Sequence, residues 1–300
     1  MKLKRHELAG GSETGASMKF AINLPCGRKC GHPRILAEFA HLAEASGWDA
    51  VFLEDYIIWQ GHNDAPTYDP WVTLSAMAMS TTSIRLGTMV TPIARRRPWK
   101  LARETVTIDH LSGGRLILGV GVGETEIDSS FSSFEEVIDA KQRAMMVDEA
   151  LELLARLWSG EEVTLEGRFY HVHGARLLPR PVQSPRIPIW IGGVWPLRGP
   201  TRRALRWDGA CLYKRPEQGD FYPEDVRQLA RLAQRRPDAG ARFDIVVGHA
   251  DWQRAKDIAQ EKAYIASLAE AGATWWSMYI SPDAEEVMAK VIQEGPPRFE

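Results

Sequence analysis

Three hundred residues, 44% hydrophobic and 25% charged, are enough to bury a large core. The formal net charge of −2 gives no electrostatic case for nucleic acid or an anionic membrane surface. No apolar run reaches a membrane span, and the N-terminus lacks a signal-peptide apolar region. Three cysteines are an odd number without a disulfide framework, which sets the expectation of a reducing cytoplasm. Cys26 and Cys30 form an isolated C-x3-C, short of the about four ligands that a structural zinc needs.

Residues 1–17 are polar and Gly/Ser-rich without periodicity, so they read as a disordered leader to a domain spanning 18–300. Strand-like and helix-like segments then alternate. "MKFAINL" (18–24) is followed by a helix over 34–46, with Ile35, Leu36, Phe39, Leu42 and Ala43 on one face and Gly47 as its stop. "AVFLED" (50–55), a helix over 70–81, "IRLGTMVTPI" (84–93), a helix over 98–111 and "RLILGVGVG" (115–123) continue the rhythm. A long helix spans roughly 134–158, with Ala144, Val147, Leu151, Leu154 and Leu157 on one face. "IPIWIGG" (187–193), "GACLY" (209–213), "RFDIVVG" (242–248) and "TWWSMYI" (274–280) complete the strands, separated by helices over 199–207, 223–235 and 252–271. Eight buried-type strands with helices between them are the count of a (β/α)8 barrel, with a doubly wound open sheet as the alternative. Residues 159–186 break the rhythm with a hairpin and the proline-rich "RPVQSPRIP", an insertion in one barrel loop.

Functional groups of such a barrel gather at the C-terminal ends of its strands. Those ends carry Glu54, Asp55, Tyr56 and Trp59; Met89, Val90, Thr91 and Pro92; Gly121, Gly123, Glu124 and Thr125; and Gly192, Gly193 and Trp195. Gly119 and Gly121 begin a G-x-G-x-x-G, but its third glycine is Glu124, so the dinucleotide fingerprint fails. The glycines then either let a planar or phosphorylated ligand approach the backbone or relieve crowding between packed elements. "ARRRP" (94–98) reads either as a solvated loop or as an attractor of an anionic tail or substrate. His6, His41, His110, His171 and His173 lie away from the strand ends, which leaves a metal-dependent barrel hydrolase without ligands. With no Ser–His–Asp pattern either, hard chemistry falls to a cofactor.

The stretch 69–124, from "DPWVTLSAMAMSTTSIRLGTMVTPIARRRP" to "RLILGVGVGE", resembles the luciferase-like monooxygenase family, as does "RPVQSPRIPIWIGG" followed by "RRALRWDGACLY". The resemblance covers essentially 18–285. It implies a (β/α)8 barrel of the bacterial luciferase-like type, a homodimer, and F420 or FMN as cofactor. It places a non-prolyl cis peptide at Met89–Val90, Asp55 near the ring, and Gly121, Gly123, Gly192 and Gly193 beside ring and phosphate. "GVGE" is similar to the F420-dependent sugar-phosphate dehydrogenase branch, where the glutamate is proposed to transfer a proton at the substrate. Glu124 takes that position, and F420 is accordingly preferred over FMN. Tyr56 stands where that branch has a histidine, and a tyrosine of ordinary pKa, about 10, is a poor general base at neutral pH. Trp59 lies near the branch's active-site tryptophan, in reach of ring or substrate. Glu124, Tyr56 and Trp59 are thus the expected catalytic set of an oxidoreductase that transfers hydride to, or oxygenates, a small organic substrate. A non-catalytic flavin-binding protein on the same fold is the alternative.

Overall fold

The computed structural model describes residues 18–248, 257–281 and 284–299. The expected leader and residues 252–256 of one expected helix lie outside them. In chain order the elements are β1 (Lys19–Leu24), α1 (Pro33–Ala45), β2 (Ala50–Leu53), α2 (Pro70–Ser80), β3 (Arg85–Pro92), α3 (Pro98–Ser112), β4 (Leu116–Gly121), α4 (Ser130–Ser133), α5 (Ala140–Trp158), β5 (Val163–Glu166), β6 (His171–Ala175), β7 (Ile189–Val194), α6 (Arg198–Ala204), β8 (Gly209–Tyr213), α7 (Pro223–Ala233), β9 (Asp244–Val247), α8 (Ile258–Glu270), β10 (Trp275–Tyr279) and α9 (Glu285–Gln293).

Eight of the strands pair in parallel and close into a barrel in the order β1-β10-β9-β8-β7-β4-β3-β2. Closure rules out the open-sheet alternative. β5 and β6 form the expected antiparallel hairpin inside the insertion. The insertion is fastened to the helices: Glu149 of α5 accepts the backbone N–H groups of Phe169 and Tyr170, and Asp109 of α3 accepts those of Val182 and Gln183. The expected helix from 134 begins only at Ala140. Glu135 has a φ of 53°, which breaks the helical run, and Asp139 caps the new start by accepting from the Gln142 N–H at 2.6 Å. No helix among the described residues is long and apolar enough to cross a membrane.

Strand parity decides what faces the barrel axis. Phe52, Ile117, Trp190, Cys211, Val246 and Trp275 form a packed layer of their own, separate from the larger core between barrel and helices. Trp190 lies 5.3 Å from Phe52 and 5.2 Å from Trp275, ring centre to ring centre. Two residues further along each strand, the next inward layer is Asn23, Glu54, Gly119, Gly192, Tyr213 and Ser277. An aromatic floor therefore carries a small, polar upper layer at the C-terminal end.

At the opposite end, Glu44 joins α1 to the start of β3. Partial burial works to raise its pKa, but the N–H groups of Ile84 and Ser83, the Ser83 hydroxyl and the Thr82 N–H outweigh it and bring it to about 2. A carboxyl group depressed on folding stabilises the native state above its unfolded pKa and loses that contribution as the pH falls through its folded value. Glu44→Gln is therefore expected to lower the urea midpoint at pH 7. The gap to wild type should narrow below about pH 4.5 and close near pH 2, as followed by circular dichroism.

Candidate active site

The mouth of the barrel is organised by a bulge in β3. Thr88 pairs with Leu118 and Thr91 with Val120, so three steps along β3 match two along β4. Met89 and Val90 occupy the bulge, and the peptide between them is cis, where the resemblance placed it. Asn23 Nδ2 donates to the Met89 carbonyl at 3.3 Å, and the Ser277 hydroxyl lies 3.6 Å from the Met89 sulfur.

Val90 explains several of the glycines. A Cβ at Gly121 would lie 2.6 Å from Val90 Cγ2, one at Gly192 would lie 2.8 Å from Val90 Cγ1, and one at Gly119 would lie 2.0 Å from the Thr88 carbonyl. Gly123 has a φ of +78° and packs on Phe131, while a Cβ at Gly193 would lie 2.5 Å from Pro200. As the crowding reading expects, these glycines accommodate the chain's own side chains and backbone.

Asp55, expected near the ring, points away from the axis and is fully engaged by protein. Its Oδ2 accepts from Thr91 Oγ1 at 2.8 Å, Trp71 Nε1 at 3.3 Å and Arg96 Nε at 3.0 Å; its Oδ1 accepts from Arg96 Nη2 at 2.7 Å and Arg95 Nη2 at 3.3 Å. Burial works to raise its pKa, but the charges of Arg96 and Arg95 outweigh it and hold the carboxyl below the usual range. Both readings of "ARRRP" accordingly fail for Arg95 and Arg96, which serve this carboxylate; Arg95 also pairs with Asp128.

Trp59 is corrected in the same way. It is 2% exposed, one face stacks on His62 at 5.4 Å between ring centres, and the Arg28 guanidinium lies 4.9 Å from its centre. Its indole N–H donates to Glu54 Oε2 at 3.0 Å. No open face is left for stacking on a ring, and Trp59 instead supports Glu54.

Glu54, one of the strand-end residues, has no role assigned to it from the sequence. It stands on the inward parity of Phe52, held by Trp59, by Gln60 Nε2 at 3.5 Å and by the Tyr279 hydroxyl. Burial pushes its pKa up to about 7 against these three hydrogen bonds. Glu124, beyond the end of β4, is half-buried, and its carboxylate has no hydrogen-bond partner among the described residues. Burial raises its pKa, Glu126 adds to the rise and Arg215 opposes it. Burial also raises the pKa of Tyr56, with Glu54, Asp128 and Glu124 adding to it, so Tyr56 remains a neutral phenol and not a base. Beside this cluster a cleft of about 710 Å³ is lined by Arg28, Lys29, His32, His62 and Tyr68, among others.

The luciferase-like monooxygenase family model matches residues 12–295. The chain belongs to that family. An F420-dependent glucose-6-phosphate dehydrogenase of Microbacterium testaceum is 32% identical over 249 residues, 79% of this chain and 71% of the relative. A protein of the same name from Nakamurella multipartita is 36% identical over 219 residues, 71% of this chain and 60% of the relative. The chain thus spans about three fifths to seven tenths of the length of these two relatives. The solved coenzyme F420-dependent tetrahydromethanopterin reductase of Methanopyrus kandleri superposes with a TM-score of 0.72 at 19% identity, over 95% of this chain and all of that one, and shares the fold.

The contact between Val90 and the glycines gives a stability test. Gly121→Ala should destabilise the protein by about 1–3 kcal/mol, as overpacking of a tight site does. Adding Val90→Ala should restore most of the loss in a double-mutant cycle read by urea unfolding. Simple additivity of the two changes would show that Val90 is not what Gly121 accommodates.

Proposed function

We propose that this protein is an F420-dependent oxidoreductase that exchanges a hydride with a small hydroxylated or carbonyl substrate at the C-terminal mouth of its barrel. The broad class, an oxidoreductase working with F420 or FMN, goes with the family and with the names of its relatives. The observation that carries the finer reading is Glu124: a half-buried carboxylate without a hydrogen-bond partner among the described residues, its charged form disfavoured, at the end of β4.

The inward layer suits a flat ring. The side-chain oxygen of Asn23 is buried and has no hydrogen-bond partner among the described residues, so it offers an acceptor to a ring N–H. Gly121 and Gly192 let the Val90 side chain lie directly against the backbone at the mouth. Asn23, Met89, Val90, Gly121, Gly123, Gly192 and Gly193 would hold the ring, with Asp55 fixing the strand ends behind them. A deazaflavin held there would supply the hydride chemistry. Glu124 takes up or returns the proton at the substrate oxygen, Tyr56 lines the substrate side as a neutral hydrogen-bond donor, and Trp59 positions Glu54. The cleft beside Trp59 offers Arg28 and Lys29, with Asp64 opposing them, to an anionic substrate group. A homodimer and a cytoplasmic location belong to the same proposal, the former read by light scattering on the purified protein.

Titration of the purified protein with F420 and with FMN tests the cofactor. Saturable F420 binding with negligible FMN affinity is expected; tight FMN binding and oxygen consumption with negligible F420 affinity would reverse the choice. With F420 bound, Glu124→Gln is expected to lower kcat by about 10²-fold or more while leaving F420 affinity unchanged. Cofactor binding with no turnover in the wild type would favour the non-catalytic alternative.

A further inference from the structure

Oxidation of an alcohol by a deazaflavin moves two hydrogens. The C–H bond breaks with its electron pair, which leaves as hydride, and the O–H bond breaks to release a proton while the C=O bond forms. A bound deazaflavin would supply the hydride acceptor, and its reduction would consume one proton. Two proton transfers accompany the hydride, one from the substrate hydroxyl and one to the cofactor, and the proposed role of Glu124 covers the first.

On the proposed function, we infer that Glu54 is the second proton site, giving its carboxyl proton to the reduced deazaflavin while Glu124 accepts the hydroxyl proton of the substrate. Parity supports this assignment. Among the inward residues of the upper layer Glu54 is the one carboxylate, whereas Asp55 points away from the axis into its ion pairs and Glu124 sits on the loop beyond β4. Neighbouring groups hold Glu54 in place without neutralising it: Trp59 and Gln60 from the turn after β2, and Tyr279 from β10. The groups facing it from the surrounding elements are Tyr56 after β2, Tyr279 on β10 and Cys26 after β1, with Arg28 acting on Tyr279. None of them forms an ion pair with Glu54 among the described residues. Burial without a counter-charge keeps the proton on Glu54 near neutral pH, at about 7. Turnover would leave Glu54 ionised and Glu124 protonated, and exchange with solvent would return both to their starting states.

The test uses the full chain, first without and then with cofactor. In the cofactor-free protein, infrared titration should show a protonated carboxyl band that fades as the pH rises through about 7, lost in Glu54→Gln and kept in Glu124→Gln. With F420 and glucose 6-phosphate as probes, Glu54→Gln should lower kcat by about 10²-fold at unchanged F420 affinity and abolish the fall in activity on the alkaline side. Tyr279→Phe removes a donor that favours the ionised carboxyl, so it should raise the pKa of Glu54 and move that alkaline fall to higher pH. Persistence of the infrared band in Glu54→Gln, or an unaltered alkaline fall in that variant with F420 bound as in wild type, would overturn the role of Glu54 alone. Wild-type protein that fails to bind F420 would overturn the oxidoreductase reading, and this assignment with it.

Discussion

One buried carboxylate ties the functional end of the barrel together. Asp55 gathers Trp71 from α2, Thr91 from β3 and two arginines from the turn after β3, and Arg95 extends the network to Asp128 beyond β4. Three consecutive strand ends are thereby fixed relative to one another. Leaving such a pair half-broken costs about 3–5 kcal/mol, because the remaining charge stays buried without a partner. Its rigidity presents the β3 bulge, and with it Met89 and Val90, to the barrel axis. Everything assigned to the mouth, from the glycines around Val90 to Glu54 above Phe52, depends on that registration.

The site combines two kinds of surface. Below, the aromatic layer of Phe52, Trp190 and Trp275 is buried and closely packed. Above it lie small or hydrogen-bonding residues, among them an asparagine oxygen without a hydrogen-bond partner among the described residues. A flat, partly polar ring matches that pairing, and the two carboxylates proposed as proton donor and acceptor differ in their surroundings. Glu54 is hydrogen-bonded and inward; Glu124 is unpartnered among the described residues and nearer solvent. The absence of a histidine after Asp55 is thus compatible with proton transfer at this mouth.

The fold was legible because its strands are buried on both faces, so each reads as a continuous apolar run between helical patterns. That same continuity hides parity. In "AVFL" nothing marks Phe52 as inward and Leu53 as outward, so the adjacent Glu54 and Asp55 could not be sorted, and the resemblance drew attention to Asp55. The signal that would have found Glu54 is the pair itself: two neighbouring carboxylates after a buried strand must point to opposite faces. The glycines were legible as positions and not as causes, since the bulge that swings Val90 into them is a tertiary feature. Trp59 was misread for a related reason: burial by Arg28 and His62 comes from contacts that a linear sequence does not display. Glu135 and Asp139, which delay α5, were local signals that the long apolar periodicity outweighed.

Transfer of label from substrate to cofactor tests the central claim most directly. Purified protein would be given oxidised F420 and an alcohol substrate deuterated at the carbinol carbon, and the reduced cofactor recovered for mass spectrometry. Stoichiometric deuterium in the recovered deazaflavin is the predicted result. Reduced cofactor without deuterium, or an oxygenated product formed with FMN under air, would contradict hydride transfer at this barrel mouth.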